Sequence, residues 1–455
     1  MSEVTNITKG VATLLGDPKK AILKLSTPMM FAMMCQALYN IADGIWVAGL
    51  GADQLAAVGL FFPFFIVIIA LGAGIGVGGS SAVSRRIGEN NKVEADNTAI
   101  HTIILCIIIA VVVSIPSLPF IDNIFLSFSG SKTIGSMAAD YAKVLFSGTI
   151  IIMFSHIANA LLRGEGDANR AMYGMLVGSL LNIVLDPIFI YVLNMGVVGA
   201  AWATMISFTV SALLLSYWLF FKKNTYLTIV LKDFSFDKKI IREILKVGIP
   251  SSLAQLSMSV TMIAINKIVI EAAGTDGVAV FTSGWRIIMF GTIPLIGMAM
   301  GVVSVTGAAF GARDKYKLKT AFLYSVKVGI IIEFLIAVVV FVFSKQISYI
   351  FTYSKDSARI MDELIVFLRI MALIYPTVPL GMLTSAMFRG VGKGKNSLIA
   401  TLFRTIILQV PFAYYLGIVL QMGLIGIWIG LIAANIIAVI ITFLWGMYTV
   451  NHIIR

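Results

Sequence analysis

The sequence has few charged residues and very little cysteine or histidine. Charged side chains make up 12% of its 455 residues, about half of the roughly 25% that is usual in a soluble domain. The two cysteines, Cys35 and Cys106, lie within apolar runs, and the three histidines are scattered. This supply is too small for a disulfide framework, a metal cluster or a nucleophile triad. We therefore expect neither an enzyme nor a protein with a cofactor.

The first residues also lack a secretory signal. The segment MSEVTNITKGVATLL has no basic start, apolar run and small-residue cleavage site, and a signal peptide requires these in that order. We expect insertion into a membrane to depend on the later apolar segments instead.

Apolar residues dominate the chain. They make up 59% of it, and they fall in runs of about 20 residues or more, which are typical of membrane-spanning helices. The pattern predicts an all-α polytopic membrane protein. Its 12 predicted spans are residues 22–50, 54–83, 98–121, 137–162, 171–193, 197–221, 247–272, 278–310, 318–344, 360–388, 396–420 and 424–449.

Positive charge falls mainly on one side of these spans. With the N-terminus inside, 24 of the 34 lysines and arginines lie in inner segments and four in outer segments. This bias predicts a multi-pass protein of the cell membrane with both termini in the cytoplasm. The net charge of +12 then reflects topology and contact with lipid headgroups, and we expect no nucleic-acid partner.

The two halves of the sequence resemble each other. Four segments recur in the same order, and the offset grows only from 222 to 227 residues. The matches are ILKLSTP with ILKVGIP, GADQLAAV with GTDGVAVF, LLRGEGDAN with MFRGVGKGK, and NMGVVG with QMGLIG.

This repeat predicts the domain organisation. Because each copy has six spans and starts inside, the copies form a parallel repeat about an axis along the membrane normal. We predict a first lobe at residues 1–221, a cytoplasmic connector at 222–246 and a second lobe at 247–455. Transporters with two such lobes carry substrate along the interface between them.

One short segment of the second span carries a stripe of small residues. Gly72, Gly76, Ser80 and Ser84 recur every four residues, so they share one helix face. The stripe predicts close packing against another helix.

Two acidic residues within the first-lobe spans are the main candidate site. Asp43 and Asp186 each lie seven residues inside the predicted outer end of their span, about 10 Å along the helix axis. A charge at such depth is costly unless it binds a cation or a proton. Tyr39 and Asn182 each lie one turn before an aspartate, and Thr204 lies at similar depth in span six. We expect these five side chains to converge on a proton or Na⁺; a static polar network is the alternative.

The second lobe has no counterpart of these acids at matching positions. Its spans contain Lys267, Arg286, Lys327, Glu333 and Arg404. We expect Arg286 and Glu333 to pair between helices.

Taken together, several short segments of the sequence resemble one family, the multidrug and toxic compound extrusion (MATE) transporters. The resemblance extends over essentially all 12 spans. It is strongest to the prokaryotic branch related to DNA-damage-inducible proteins, and within that branch to the archaeal members. The words that carry it are YNIADGIWVAGLG, AAVGLFFP, LLRGEGDANRAM, LNIVLDPIFIY, GVVGAAWAT, VFTSGWR and SAMFRGVGKG.

The resemblance implies two six-helix lobes around a V-shaped cleft. It also implies export of cationic or amphipathic compounds in exchange for H⁺ or Na⁺. By position, the ion-coupling residues would be Asp43, Asn159, Asn182, Asp186 and Thr204, and Asp43, Asn182, Asp186 and Thr204 could hold Na⁺. Residues expected at the substrate cleft or its gate are Tyr39, Tyr141, Pro28, Gln255, Met258 and Arg286.

The sequence departs from the sodium-coupled branch in the second lobe. Span seven offers Gln255 and Asn266 where that branch has acidic residues, so a second-lobe cation site is not expected.

We therefore predict a secondary active multidrug exporter with alternating access, acting as a monomer on small amphipathic or cationic compounds among membrane lipids. The alternative is a flippase for lipids or lipid-linked oligosaccharides, which shares the two-lobed architecture.

Overall fold

The computed structural model describes residues 8–222, 224–353 and 358–454, and these form helices with no strand among them. Three of the predicted loop charges, Lys223, Lys355 and Arg455, lie outside the described residues. The helices of the first half are α1 (Lys9–Leu15), α2 (Pro18–Ala48), α3 (Ala52–Gly88), α4 (Lys92–Ser117), α5 (Ile121–Ser129), α6 (Lys132–Ser147), α7 (Thr149–Gly164), α8 (Ala168–Pro187) and α9 (Gly196–Ser216).

The second half repeats this order. Its helices are α10 (Lys238–Gly291), α11 (Ile293–Gly311), α12 (Lys315–Val342), α13 (Ser344–Phe351), α14 (Met361–Met371), α15 (Val378–Gly390), α16 (Gly394–Leu402), α17 (Val410–Tyr414) and α18 (Gly423–His452). Non-helical backbone at Ala273 and Gly274 divides α10 into two segments. Short π-helical segments extend several of them, at Ile188–Val192, Tyr217–Phe221, Phe403–Gln409 and Tyr415–Val419.

The predicted number of spans agrees with these helices. Eleven helical stretches in the described residues are long and apolar enough to cross a membrane, and α6 with α7, which meet at an angle of 51°, make up to 12. The fold is therefore all-α and polytopic, as the hydropathy pattern predicts.

The helices begin in two different ways. At several predicted inner ends, an Asp or Asn side chain accepts a hydrogen bond from the first turn and so satisfies a free N–H group. These residues are Asp17, Asn91, Asp167, Asp237 and Asp314. At predicted outer ends the chain instead turns at a glycine with positive φ, at Gly51, Gly196, Gly274 and Gly423.

The backbone repeats at the offsets found in the sequence. Positive-φ residues occur in pairs, Gly51 with Gly274 and Gly166 with Gly392 among them. The π-helical segment Ile188–Val192 also has a counterpart 227 residues later at Tyr415–Val419. The two halves therefore share local backbone geometry as well as sequence words.

Small residues on α3 allow close helix packing on two sides. Gly72 and Gly76 lie against Met153 and Ala160 of α7, and the Ser84 hydroxyl donates to Gly164 O at 3.0 Å. The predicted stripe therefore packs against a helix, as expected. A second face of α3 meets α10, where a Cβ at Gly74 would collide with Ser252.

The connector between the halves is bound to the first half. Leu227 N donates to the Glu165 carboxyl at 2.8 Å, Thr228 N donates to Asp96 at 2.8 Å, and Asp237 N donates to His101 at 3.0 Å. Glu165 lies in the loop between α7 and α8 and is only 1% exposed. Burial raises the pKa of Glu165 to about 8 from its ordinary 4.5.

We expect Gly274→Ala to lower the thermal unfolding midpoint in detergent. Gly274 has φ 62° and ψ −150°, a region that is open essentially only to glycine and costs other residues about 1–3 kcal/mol. Gly59→Ala is the matched control, because both sites leave open space for a Cβ but Gly59 is helical. The control should be neutral or stabilising. Equal effects of the two substitutions would contradict the assigned backbone strain.

The buried Glu165 predicts a pH dependence of stability. Because its pKa is higher in the folded protein, the proton it holds stabilises the fold fully below pH 4.5, and that contribution is lost as the pH rises to about 8. Glu165→Gln should flatten the wild-type decline of the unfolding midpoint across this window. Glu363→Gln, at an exposed position, should leave the pH profile unchanged; a flattening by that control would disprove the assignment.

Candidate functional site

The site is built on two neighbouring helices of the first half. Helix α2 supplies Asp43, and helix α8, which packs against it, supplies Asp186. The two carboxyl groups lie close enough to form a hydrogen bond with each other. Asp186 is fully buried, whereas Asp43 is half-buried. The structure thus brings together the two acids that the sequence singles out.

Each aspartate also keeps one oxygen free of protein partners. Oδ1 of Asp43 and Oδ1 of Asp186 are shielded and have no hydrogen-bond partner among the described residues. Buried polar atoms normally have such a partner. These oxygens are therefore available to a small ion or a proton.

Asn182 and Thr204 support Asp186. With its amide nitrogen turned toward the acid, Asn182 donates to Asp186 Oδ2 at 3.0 Å, and its oxygen accepts from Thr204 Oγ1 at 3.3 Å. The reversed amide instead donates to Thr204 Oγ1 at 3.3 Å and turns its oxygen toward the acid. Asn182 and Thr204 are both buried.

Two tyrosines complete the surroundings. Tyr39 on α2 and Tyr141 on α6 lie within electrostatic range of both aspartates. Tyr141 is buried and packs edge-on against Phe61, with ring centroids 5.4 Å apart. The pair of acids therefore faces an aromatic and largely dry environment.

A contact that sequence reasoning missed fixes the outer ends of α2 and α8. The Tyr191 hydroxyl donates to Trp46 O at 2.6 Å, three residues beyond Asp43. Gly49 permits this approach, because a Cβ there would collide with the hydroxyl. Tyr191 follows Pro187 in the π-helical segment, and the proline was the available signal, since it predicts a departure from regular helix.

Asn159 does not belong to the cluster by its contacts. Its amide donates to Ala171 O at 2.6 Å, and its oxygen accepts from Arg163. Ala171 lies 15 residues before Asp186 on α8, which is about 22 Å of helix. The predicted placement of Asn159 with the acids is therefore corrected: it links α7 to the inner end of α8.

The expected pair of Arg286 and Glu333 is also wrong. Glu333 is fully buried, and neither of its carboxyl oxygens has a partner among the described residues. Arg286 is exposed on α10 instead. The expectation rested on two opposite charges within second-lobe spans, and the sequence carries no information about which way either side chain points.

The other candidates for the cleft lie on α2 and α10. Pro28 lies within α2, which continues through it as one helix. Gln255 and Met258 are exposed on α10. The described residues contain no group of three or more His, Cys, Asp or Glu that could hold a metal ion.

Comparison with known proteins identifies the family. The family model MatE matches residues 28–188 and again residues 250–415, so its two matches follow the internal repeat. A multidrug export protein, MepA, of Staphylococcus haemolyticus is 26% identical over 427 residues, 93% of this chain and 92% of that protein. The probable multidrug resistance protein YoeA of Bacillus subtilis is 25% identical over 435 residues, 92% of this chain and 91% of that protein.

Solved structures are more similar. One is described as the outward-facing conformation of a multidrug resistance MATE family transporter; it has 53% identity and a TM-score of 0.95, and the match covers 98% of this chain and 99% of that one. Another, a transporter from Pyrococcus furiosus described as having a binding pocket of reverse polarity, has 52% identity and a TM-score of 0.96, with 99% of this chain and 100% of that one covered. The chain therefore belongs to the MATE family and is a transport protein, not an enzyme.

Proposed function

We propose that the protein is a secondary active multidrug exporter that exchanges organic cations or amphipathic compounds for protons. The observation that carries the proposal is the contact between Asp43 and Asp186. The export of drugs by its MepA relatives supports the substrate class.

The contact itself favours a proton as the coupling ion. An ionised carboxylate only accepts hydrogen bonds, so two carboxyl groups can bond to each other only if one of them carries a proton. Loss of that proton leaves two like charges in an apolar region, which is costly. Because one acid lies on α2 and the other on α8, this repulsion pushes the two helices apart. Proton binding and helix separation are then coupled.

The orientation of Asn182 distinguishes a proton from Na⁺. With its nitrogen toward Asp186, the amide offers a donor, which suits the acid pair. Na⁺ would need oxygen ligands. Asn182 turns its oxygen toward the acids only in the reversed orientation, in which its nitrogen donates to Thr204 Oγ1. Sodium coupling through Asp43, Asn182, Asp186 and Thr204 is the corresponding alternative.

We also propose that residues 1–221 and 247–455 act as two lobes joined by the connector at 222–246. Helix α3 packs against α10, and α2 packs against α11, so α2, which carries Asp43, borders the second half. Substrate would pass between the halves near Tyr39, Tyr141 and Pro28 on one side and Gln255, Met258 and Arg286 on the other. The protein would act as a monomer in the cell membrane, with cytoplasmic termini.

A lipid or lipid-linked oligosaccharide flippase is the second candidate. Lys267, Arg286 and Lys327 are exposed within spans of the second half, and an anionic pyrophosphate would be attracted to such cations. The acid pair in the first half favours cation export over this alternative.

We expect Asp43→Asn and Asp186→Asn each to reduce dye efflux from cells to background while expression is retained. An amide cannot take up or release the proton. The matched control is Asp53→Asn, which changes an exposed acid in the first turn of α3 and should leave efflux intact. Normal efflux by both cluster variants would refute the assignment.

Proteoliposomes with imposed gradients test the coupling ion and the substrate class together. With an acidic lumen and equal Na⁺ on both sides, the protein should accumulate an organic cation, and Asp186→Asn should not. A sodium gradient without a pH gradient should drive no accumulation. Accumulation driven by sodium alone would establish Na⁺ coupling instead, and translocation of a lipid-linked oligosaccharide without organic-cation transport would favour the flippase.

A further inference from the structure

A cavity separate from the acid pair lies at the inner end of the first half. Its volume is about 760 Å³, and it is lined by α1, the first turns of α2, the start of α8 and the connector residue Asn224. Asp186 lies 16 residues beyond Arg170, the last α8 residue of the lining, which is about 24 Å of helix. The cavity is therefore distinct from the proposed coupling site.

The charges that line this cavity are mainly positive. Lys9, Lys24 and Arg170 line it together with one acid, Asp167. Asp167 forms an ion pair with Arg170 at 3.1 Å and also accepts from the first turn of α8. Within the described ranges, Lys9 and Lys24 form no ion pair. Their two charges are thus available to an anion.

The cavity also offers hydrogen-bond acceptors. Pro28 lines it and has no N–H group, so the carbonyl of Lys24, four residues earlier, lacks its usual helical partner. The Thr27 side chain is exposed at the same wall. A ligand that combines an anionic group with hydroxyl donors would satisfy both the cations and this carbonyl.

Apolar side chains continue from the cavity along both helices. On α2, the exposed residues Leu23, Phe31, Met34 and Leu38 share one face with Thr27. On α8, which packs against α2, the exposed residues Tyr173, Val177, Leu180 and Val184 follow Arg170. From Leu23 to Met34 the α2 face rises about 16 Å, which is about half of the roughly 30 Å hydrocarbon core of a bilayer.

We propose that this cavity binds the headgroup of an anionic phospholipid from the inner leaflet, with its acyl chains along the exposed faces of α2 and α8. Lys9 and Lys24 attract the phosphate, and the free carbonyl of Lys24 accepts from a headgroup hydroxyl such as that of phosphatidylglycerol. The apolar faces distinguish a lipid from free phosphate, because phosphate has no apolar part to cover them.

The test is binding of phosphatidylglycerol to the purified full chain by native mass spectrometry and by the shift in thermal unfolding midpoint, against a phosphatidylcholine background. Each cation near a lipid surface contributes about fivefold to affinity, so Lys9→Gln with Lys24→Gln should weaken binding about 25-fold. Lys238→Gln with Lys239→Gln removes the same charge from exposed positions at the start of α10 and should leave binding unchanged.

Two further measurements distinguish binding of the whole lipid from binding of a free phosphate group. Inorganic phosphate should neither shift the unfolding midpoint nor displace phosphatidylglycerol at comparable concentration, and a short-chain phosphatidylglycerol should bind more weakly than the long-chain form. The proposal is overturned if phosphate binds as well as the lipid, if chain length has no effect, or if both lysine pairs weaken binding equally.

Discussion

Two acidic side chains that bond to each other between apolar helices can remain together only while a proton or a cation lies between them. Asp43 and Asp186 lie close enough to bond in this way, and the proposed function assigns the shared position to a proton. Asn182 donates to Oδ2 of Asp186 and accepts from Thr204, and Tyr141 packs edge-on against Phe61 near the pair. In this dry environment the energy difference between the protonated and ionised pair is large, because the low dielectric strengthens repulsion. A transporter needs such a difference if the loading of a single site is to move whole helices.

The helices that carry the pair are joined more firmly at one end than along their length. At the outer side, Tyr191 and Trp46 connect the π-helical segment after Asp186 to the end of α2. The missing N–H group of Pro187 and the wider turn of the following segment give this end an irregular backbone, which is common at functional sites. The inner ends instead border the cavity lined by Lys9, Lys24 and Arg170 and carry no such direct bond between α2 and α8 among the described residues. Separation of the helices would therefore be easier at the inner end.

Much of the fold and part of the candidate site could be predicted from the sequence, because these features depend on local sequence patterns. The spans follow from hydropathy, the repeat from four matched words, and the meeting of Asp43 with Asp186 from their equal depth in neighbouring helices. The errors concern side-chain direction. Asn159, which the resemblance places with the acids, bonds along its own helix and to Ala171. Glu333 is buried, whereas Arg286 is exposed; the sequence position of a residue within a span does not determine which way its side chain points. The contact of Glu165 with the connector was also missed, since nothing in a loop sequence shows which distant backbone N–H group it will meet.

The paired π-helical segments have a consequence for how the two halves evolved. Tyr415–Val419 keeps the backbone of Ile188–Val192 at an offset of 227 residues, yet the counterpart of Asp186, near Val410 or Phe412, is not acidic. An ancestral duplication would have given both copies the same irregular hinge, and ionisable chemistry now remains at that position in one copy only. Under the proposed function, the second copy would share this backbone but would have no acid at that position to bind the coupling ion, so the two halves would respond unequally to it.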